Sequence, residues 1–187
     1  RTSDYHDLKS NNEIISASNI REKIKKGENI NKYVPKHVNN FIVDINYNKY
    51  FELLKYKIDT DLNLNQYLDV DEGIEYRLKK YINQANSLEE FINLIKTKRY
   101  TYNKLNRMFI HILMSLTKDI PQNLNYIKIL GFNQMGQKYL NNLKDLKIPI
   151  IVNKDSLQYK YELQASIIYD LINDTNTFAF EKKNKPV

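Results

Sequence analysis

Apolar positions recur every three or four residues over most of the chain, the period of helices that bury one face. From Ser16 to Gly27, Ser16, Ser18 or Asn19 can cap the opening amides of a short helix. Gly27 supplies its stop, with Lys25 and Lys26 in the last turn where the helix dipole favours cations. Pro35 marks a turn, and Tyr50, Leu53, Leu54 and Ile58 then set a second helix. Ile74, Leu78 and Ile82 form one stripe of a third. Ser87-Leu88-Glu89-Glu90 is a capping box opening a fourth, whose Phe91, Leu94 and Ile95 face inward. Leu105, Met108, Phe109, Ile112, Leu113 and Leu116 predict a longer helix over about Asn103 to Leu116. The pattern then changes. Tyr126 to Phe132 is short, β-branched and broken by Gly131, and Ile148 to Val152 is its counterpart. A helical stretch from Asn133 to Leu146 lies between them, the spacing of a βαβ unit with parallel strands. Two strands alone are unstable, so more strands or covering helices are expected. A last helix runs over about Tyr159 to Ile172, and the polar tail, residues 174–187, is expected to be flexible. The fold class read from this pattern is mainly α-helical, with a small βαβ-type α/β element near the C-terminus.

Composition narrows the class. With 187 residues, 42% hydrophobic and 27% charged, the chain suits one compact domain or a domain with a small appendage. The absence of cysteine excludes disulfide scaffolds, thiolate nucleophiles and cysteine-ligated zinc. No apolar run approaches the roughly 20 residues that cross a bilayer, and Arg1 to Asp7 lacks the apolar stretch of a signal peptide. A soluble, cytoplasmic protein without a membrane partner is the expectation. His6, His37 and His111 are scattered, so no metal site is assigned, and His111 reads as a core or boundary histidine. Gly27, Gly73, Gly131 and Gly136 form no phosphate loop. No carboxylate pair stands out, Tyr5-His6-Asp7 reads as a structural loop, and no catalytic residue is assigned.

Charge is more informative by position than in total. Lys and Arg number 29 against 22 Asp and Glu, a formal net charge of +7. From Arg77 to Lys118 nine basic residues face only Glu89 and Glu90, so this one segment carries the whole excess. Concentrated cations suit a polyanion, because each neutralised phosphate releases counterions. A solvated helical face remains the other reading.

Ile15-Ser16-Ala17-Ser18-Asn19-Ile20-Arg21 is the most suggestive local feature. Hydroxyls and free amides at a helix start, with Arg one turn in, converge on one point and make an anion site. An ordinary N-cap with a surface arginine fits the same residues. The stretch resembles the ISxTxIR motif of nucleotidyltransferases with HIGH signatures. Ser18 stands where Thr is usual, which keeps the hydroxyl. Arg1-Thr2-Ser3-Asp4-Tyr5-His6-Asp7, Glu72 to Leu78, Lys96-Thr97-Lys98-Arg99-Tyr100-Thr101 and Ile129 to Asn133 with Gly136 are similar, in order, to segments of the bacterial tRNA(Met) cytidine acetate ligases.

That resemblance implies an enzyme that adenylates acetate with ATP and passes the acetyl group to N4 of the wobble cytidine of elongator tRNA(Met). It implies ATP contacts from Arg1, Ser16, Ser18 and Arg21, with Mg2+ accompanying ATP and no identifiable ligands here. It also supplies tRNA as the polyanion for the basic segment, and Arg77, Lys79, Lys80, Lys96, Lys98, Arg99, Lys104 and Arg107 are the residues expected to contribute to the grip. The first residue is Arg rather than Met, and the family's HxGH-type element lies in an N-terminal nucleotide-binding domain. The expectation is therefore a C-terminal portion, inactive alone. Residues 1–27 would be the end of the nucleotidyltransferase domain, 28–173 a helical and α/β tRNA-binding domain, and 174–187 the tail. Three other readings remain: another adenylyltransferase of the same superfamily, a non-catalytic basic helical RNA-binding module, and a helical interaction scaffold with no ligand.

Overall fold

The computed structural model describes residues 16–35, 45–120, 126–143, 150–151 and 159–183. The chain divides into two compact units, Arg1–Ile45 and Asn46–Val187.

In the first unit, helix α1 (Ala17–Lys25) begins where its cap dictates. Ser16 is extended, and its Oγ accepts the Asn19 amide at 3.2 Å. The helix ends in a Schellman turn, with the Gly27 amide on the Ile24 carbonyl and the Glu28 amide on that of Lys23, both at 2.9 Å. Gly27 sits at φ 70°, a left-handed conformation that costs a residue with a Cβ roughly 1–2 kcal/mol. Past the turn, Lys23 Nζ lies 2.7 Å from the Glu28 carboxylate and 5.9 Å from the Tyr33 ring centroid. Residues 28–35 thus fold back on α1, and the compact unit extends beyond the boundary expected after residue 27.

The second unit is built on four helices: α2 (Tyr47–Thr60), α3 (Ile74–Tyr81), α4 (Leu88–Ile95) and α5 (Tyr102–Leu113). Leu54, Ile58, Leu78, Ile82, Ile95, Leu105, Met108 and Ile112 are fully buried in one core cluster. At its centre Phe91 stands between Phe51, 6.0 Å away, and Phe109, stacked at 5.5 Å. The capping box forms: Ser87 Oγ accepts the Glu90 amide at 3.2 Å, and the Glu90 carboxylate takes the Asn86 amide at 2.8 Å. Helix α5 stops at Leu113 instead of reaching Leu116. Ser115 adopts φ 52°, and the Leu116 amide turns back to the His111 carbonyl at 2.9 Å.

Strands β1 (Ile127–Lys128) and β2 (Ile150–Ile151) pair in parallel, with helix α6 (Gln134–Asn142) between them in sequence. Among the described residues the sheet has only these two strands. Polar side chains of α7 (Lys160–Asn173) and α8 (Thr177–Lys183) hold it instead. Lys128 pairs with Glu162 and, at 3.2 Å, with Glu181, and its Nζ lies 4.6 Å from the centroid of the buried Tyr159 ring. Tyr126 donates to Glu162 and Tyr159 to Glu181. Burial, reinforced by the Glu162 carboxylate, pushes the Tyr126 hydroxyl up to about 12.

Helix α8 corrects the expectation of a flexible tail from residue 174. The Asp170 carboxylate accepts the Thr177 and Phe178 amides at 2.7 and 2.8 Å and the Thr175 hydroxyl at 2.6 Å, so it caps the next helix across the turn. The same end of α7 is also tied to the start of α2: Asn173 Oδ1 accepts the Asn46 amide at 3.2 Å, and Lys49 pairs with Asp174. Residues 184–187 lie outside the described residues. Among the described residues no helix is long and apolar enough to cross a membrane.

Asp170 makes this arrangement pH-dependent. Partial burial opposes its ionisation, but the hydrogen bonds from Thr175, Thr177 and Phe178 outweigh burial and bring its pKa down to about 2 from 3.8. A depressed carboxyl pKa stabilises the fold above the unfolded value, and that stability is lost as pH falls through the folded one. Stability measured by chemical denaturation should therefore fall between about pH 4 and pH 2. Asp170→Asn should be less stable at pH 6 and should flatten the decline.

Candidate functional site

At the start of α1, Ser16 is committed to its cap, while Ser18 and Arg21 are exposed. Three residues apart, these two share one helical face. They stand beside the Ala17 and Ser18 amides, which have no intrahelical acceptor, the Asn19 amide being taken by Ser16 Oγ. Among the described residues Arg21 has no carboxylate partner. A hydroxyl, a guanidinium and the positive end of a helix dipole therefore face the same solvent, an arrangement suited to a phosphate. Arg1, expected with them, lies outside the described residues.

The basic segment of the second unit separates into three groups. Arg77 is turned inward. Its Nη2 donates to the Leu94 carbonyl at 2.7 Å, and its guanidinium carbon lies 5.4 Å from the Tyr81 ring centroid. It joins α3 to the end of α4 and is poorly placed for a phosphate. Lys79, Lys80, Lys96 and Lys98 are exposed and have no carboxylate partner among the described residues. Lys104 lies over the Tyr100 ring, with Nζ 4.2 Å from its centroid.

The third group is paired. Arg107 holds Asp69 in a fork, Nε to Oδ2 at 2.6 Å and Nη2 to Oδ1 at 3.3 Å, and His111 Nδ1 approaches the same Oδ2 at 3.2 Å. The Arg107 hydrogen bond overcomes partial burial and keeps the Asp69 carboxyl below its ordinary pKa. Arg99 pairs with Glu72, and Lys118 lies 2.9 Å from Asp71. These three acids lie just upstream of Arg77, so a charge sum begun at Arg77 misses them. The signal was present in the sequence as three carboxylates within Asp69-Val70-Asp71-Glu72.

The same contacts bring two distant segments together. Glu72 meets Arg99, and the Tyr100 hydroxyl donates to the Asp71 carbonyl at 2.6 Å. The 96–101 turn is closed on itself, with the Thr97 amide on the Tyr100 carbonyl at 3.1 Å and the Tyr100 amide on Thr97 Oγ1 at 3.0 Å. Residues 72–78 and 96–101 therefore form one surface. Among the described residues no three His, Asp or Glu side chains converge as a metal site.

The family model for HIGH Nucleotidyl Transferase matches residues 1–185. The chain belongs to that family. It is 37% identical to the tRNA(Met) cytidine acetate ligase of Clostridium perfringens (strain ATCC 13124), over 91% of this chain and 46% of the relative. It is 33% identical to the ligase of that name from Staphylococcus carnosus, over 99% of this chain and 53% of the relative. The chain thus spans about half the length of the curated relatives it matches. The crystal structure of Thermotoga maritima TmcAL (apo, form I) has the same fold, with a TM-score of 0.79 at 17% identity over 98% of this chain and 53% of that one. A second form, bound with alpha-thio ATP, gives 0.76 at 19% identity over 92% and 51%. The mainly helical architecture is thus that of Thermotoga maritima TmcAL.

The inward position of Arg77 gives a direct test of its role. Arg77→Ala leaves the Leu94 carbonyl unpaired and should lower stability by about 1–3 kcal/mol in urea denaturation. Lys79→Ala, at an exposed site, should stay within about 0.5 kcal/mol of the parent.

Proposed function

We propose that this chain is part of a tRNA(Met) cytidine acetate ligase and supplies both phosphate contacts for ATP and a grip on tRNA. In this reading acetate attacks the α-phosphate of ATP, pyrophosphate leaves, and N4 of the wobble cytidine of elongator tRNA(Met) takes the acetyl group from acetyl-adenylate, releasing AMP. Ser18, Arg21 and the α1 amides, with Ser16 at the cap, neutralise charge on the departing pyrophosphate, and Arg1 is assigned to the same nucleotide by the family resemblance. A preorganised donor of this kind is worth about 10²–10³ in rate. Mg2+ enters with the triphosphate, and no residue here is assigned to it.

Acetyl transfer also requires the anticodon loop to be held near the adenylate. Exposed lysines at 79, 80, 96 and 98 grip a phosphate backbone without reading its sequence, and Lys104, Arg99 and Arg107 extend the same face. Arg77 drops out of that set, since its guanidinium is committed to Leu94.

The observation that carries the reading is likeness along 91% of the chain to relatives named tRNA(Met) cytidine acetate ligase. The alpha-thio ATP bound to Thermotoga maritima TmcAL supports the nucleotide part. The exposed pairing of Ser18 with Arg21 at a helix start supports it independently.

The test uses the intact protein, ATP, labelled acetate and a tRNA(Met) transcript. Acetate-dependent pyrophosphate release and label in the tRNA are expected, with Arg21→Ala slower by about 10²–10³. Changing Lys98 and Arg99 together to Glu should abolish low-salt tRNA binding while leaving acetate-dependent pyrophosphate release. ATP use indifferent to acetate and tRNA would instead identify another adenylyltransferase. RNA binding with no ATP use would identify a basic helical module.

A further inference from the structure

The carboxylates of Asp69, Asp71 and Glu72 have no part in the proposed reaction, yet each is placed on a cation of the basic segment. The loop that carries them is fixed from three directions. The Leu68 amide donates to the Leu116 carbonyl at 2.9 Å, the Tyr100 hydroxyl to the Asp71 carbonyl at 2.6 Å, and Lys118 Nζ to the Val70 carbonyl at 2.8 Å. Asp69 and Glu72 hold φ values of 64° and 57°, ahead of Gly73 at 80°. Left-handed backbone at two non-glycine residues persists only where the surroundings enforce it.

The arginines are held but not covered. Arg107 and Arg99 keep 60% and 68% of their side-chain surface in solvent. Asp69 occupies Nε and Nη2 of Arg107, which leaves Nη1 for a second acceptor. Exposed ion pairs contribute little to stability, so the fold gains little from three of them in one loop. Their larger effect falls on an incoming polyanion. A carboxylate beside each guanidinium cancels its long-range attraction while preserving its position.

We propose that Asp69 and Glu72 are the selectivity residues of the RNA-binding face: they fix Arg107 and Arg99 and neutralise them, so that RNA gains from these arginines only where its phosphates meet their open edges. The inference rests on the reading of this surface as a tRNA grip. An RNA of the wrong shape is then held only by the exposed lysines, through contacts that salt screens.

The experiment measures binding of the intact protein to tRNA(Met) and to a non-cognate tRNA transcript across a salt series. Asp69→Asn suits a left-handed position at least as well as Asp, and Glu72→Gln is isosteric, so both should fold with unchanged unfolding midpoints. Each should tighten non-cognate binding about fivefold at low salt and change tRNA(Met) binding less than twofold, with the gain fading as salt rises. Arg107→Lys keeps the charge but loses the fork, and should weaken tRNA(Met) alone. Weaker binding of both RNAs by the carboxylate variants would mean that the acids only support structure and would overturn the proposal. Equal tightening of both, or no change, would overturn it as well. If the parent protein binds neither RNA, the tRNA reading itself fails and the selectivity proposal with it.

Discussion

Packing in the second unit depends on one aromatic column. Phe91 of α4 lies between Phe51 of α2 and Phe109 of α5, and the aliphatic core is arranged around the three rings. Because each helix commits its apolar face to the core, most of its lysines and arginines leave by the opposite side or by the helix ends, Arg77 excepted. The turns at 66–73 and 96–101 are consequences of the same packing. They join helices of one core cluster and meet at one edge, where Tyr100 and Arg99 reach Asp71 and Glu72.

Local interactions were readable from the amino-acid pattern, and partners brought in by tertiary packing were not. Ser16 and Gly27 bound α1 and Ser87 caps α4, because each depends on residues a few positions apart, and the parallel pairing of the two short strands was legible from the helical stretch between them. Arg77 misleads for the opposite reason. On α3 alone it is a polar residue off the apolar stripe, and only the approach of α4 presents the Leu94 carbonyl that turns it inward. Helix α8 is an intermediate case. Thr175, Asn176 and Thr177 are cap and turn residues, but the carboxylate that organises them sits at Asp170, one turn back in α7.

The candidate site shows the same division. Ser18 and Arg21 need only a helix start to share a face, and that was visible as a motif. The basic surface needs partners to be assessed. Summed along the chain, its nine cations look equivalent. In the fold, Arg77 is structural, Arg99, Arg107 and Lys118 carry carboxylates, and the exposed lysines carry none.

This sorting follows side-chain chemistry. Lysine is a mobile, strongly hydrated point charge, and four of them without carboxylate partners give attraction at a distance with little geometric demand. Arginine is a planar fork whose value to a phosphate lies in its orientation, and both exposed arginines of the segment are oriented by an acid. A surface built from one type alone would either capture any polyanion or attract none strongly. With the carboxylates on the arginines and the lysines left open, attraction and discrimination fall to different residues, and each can be altered without removing the other.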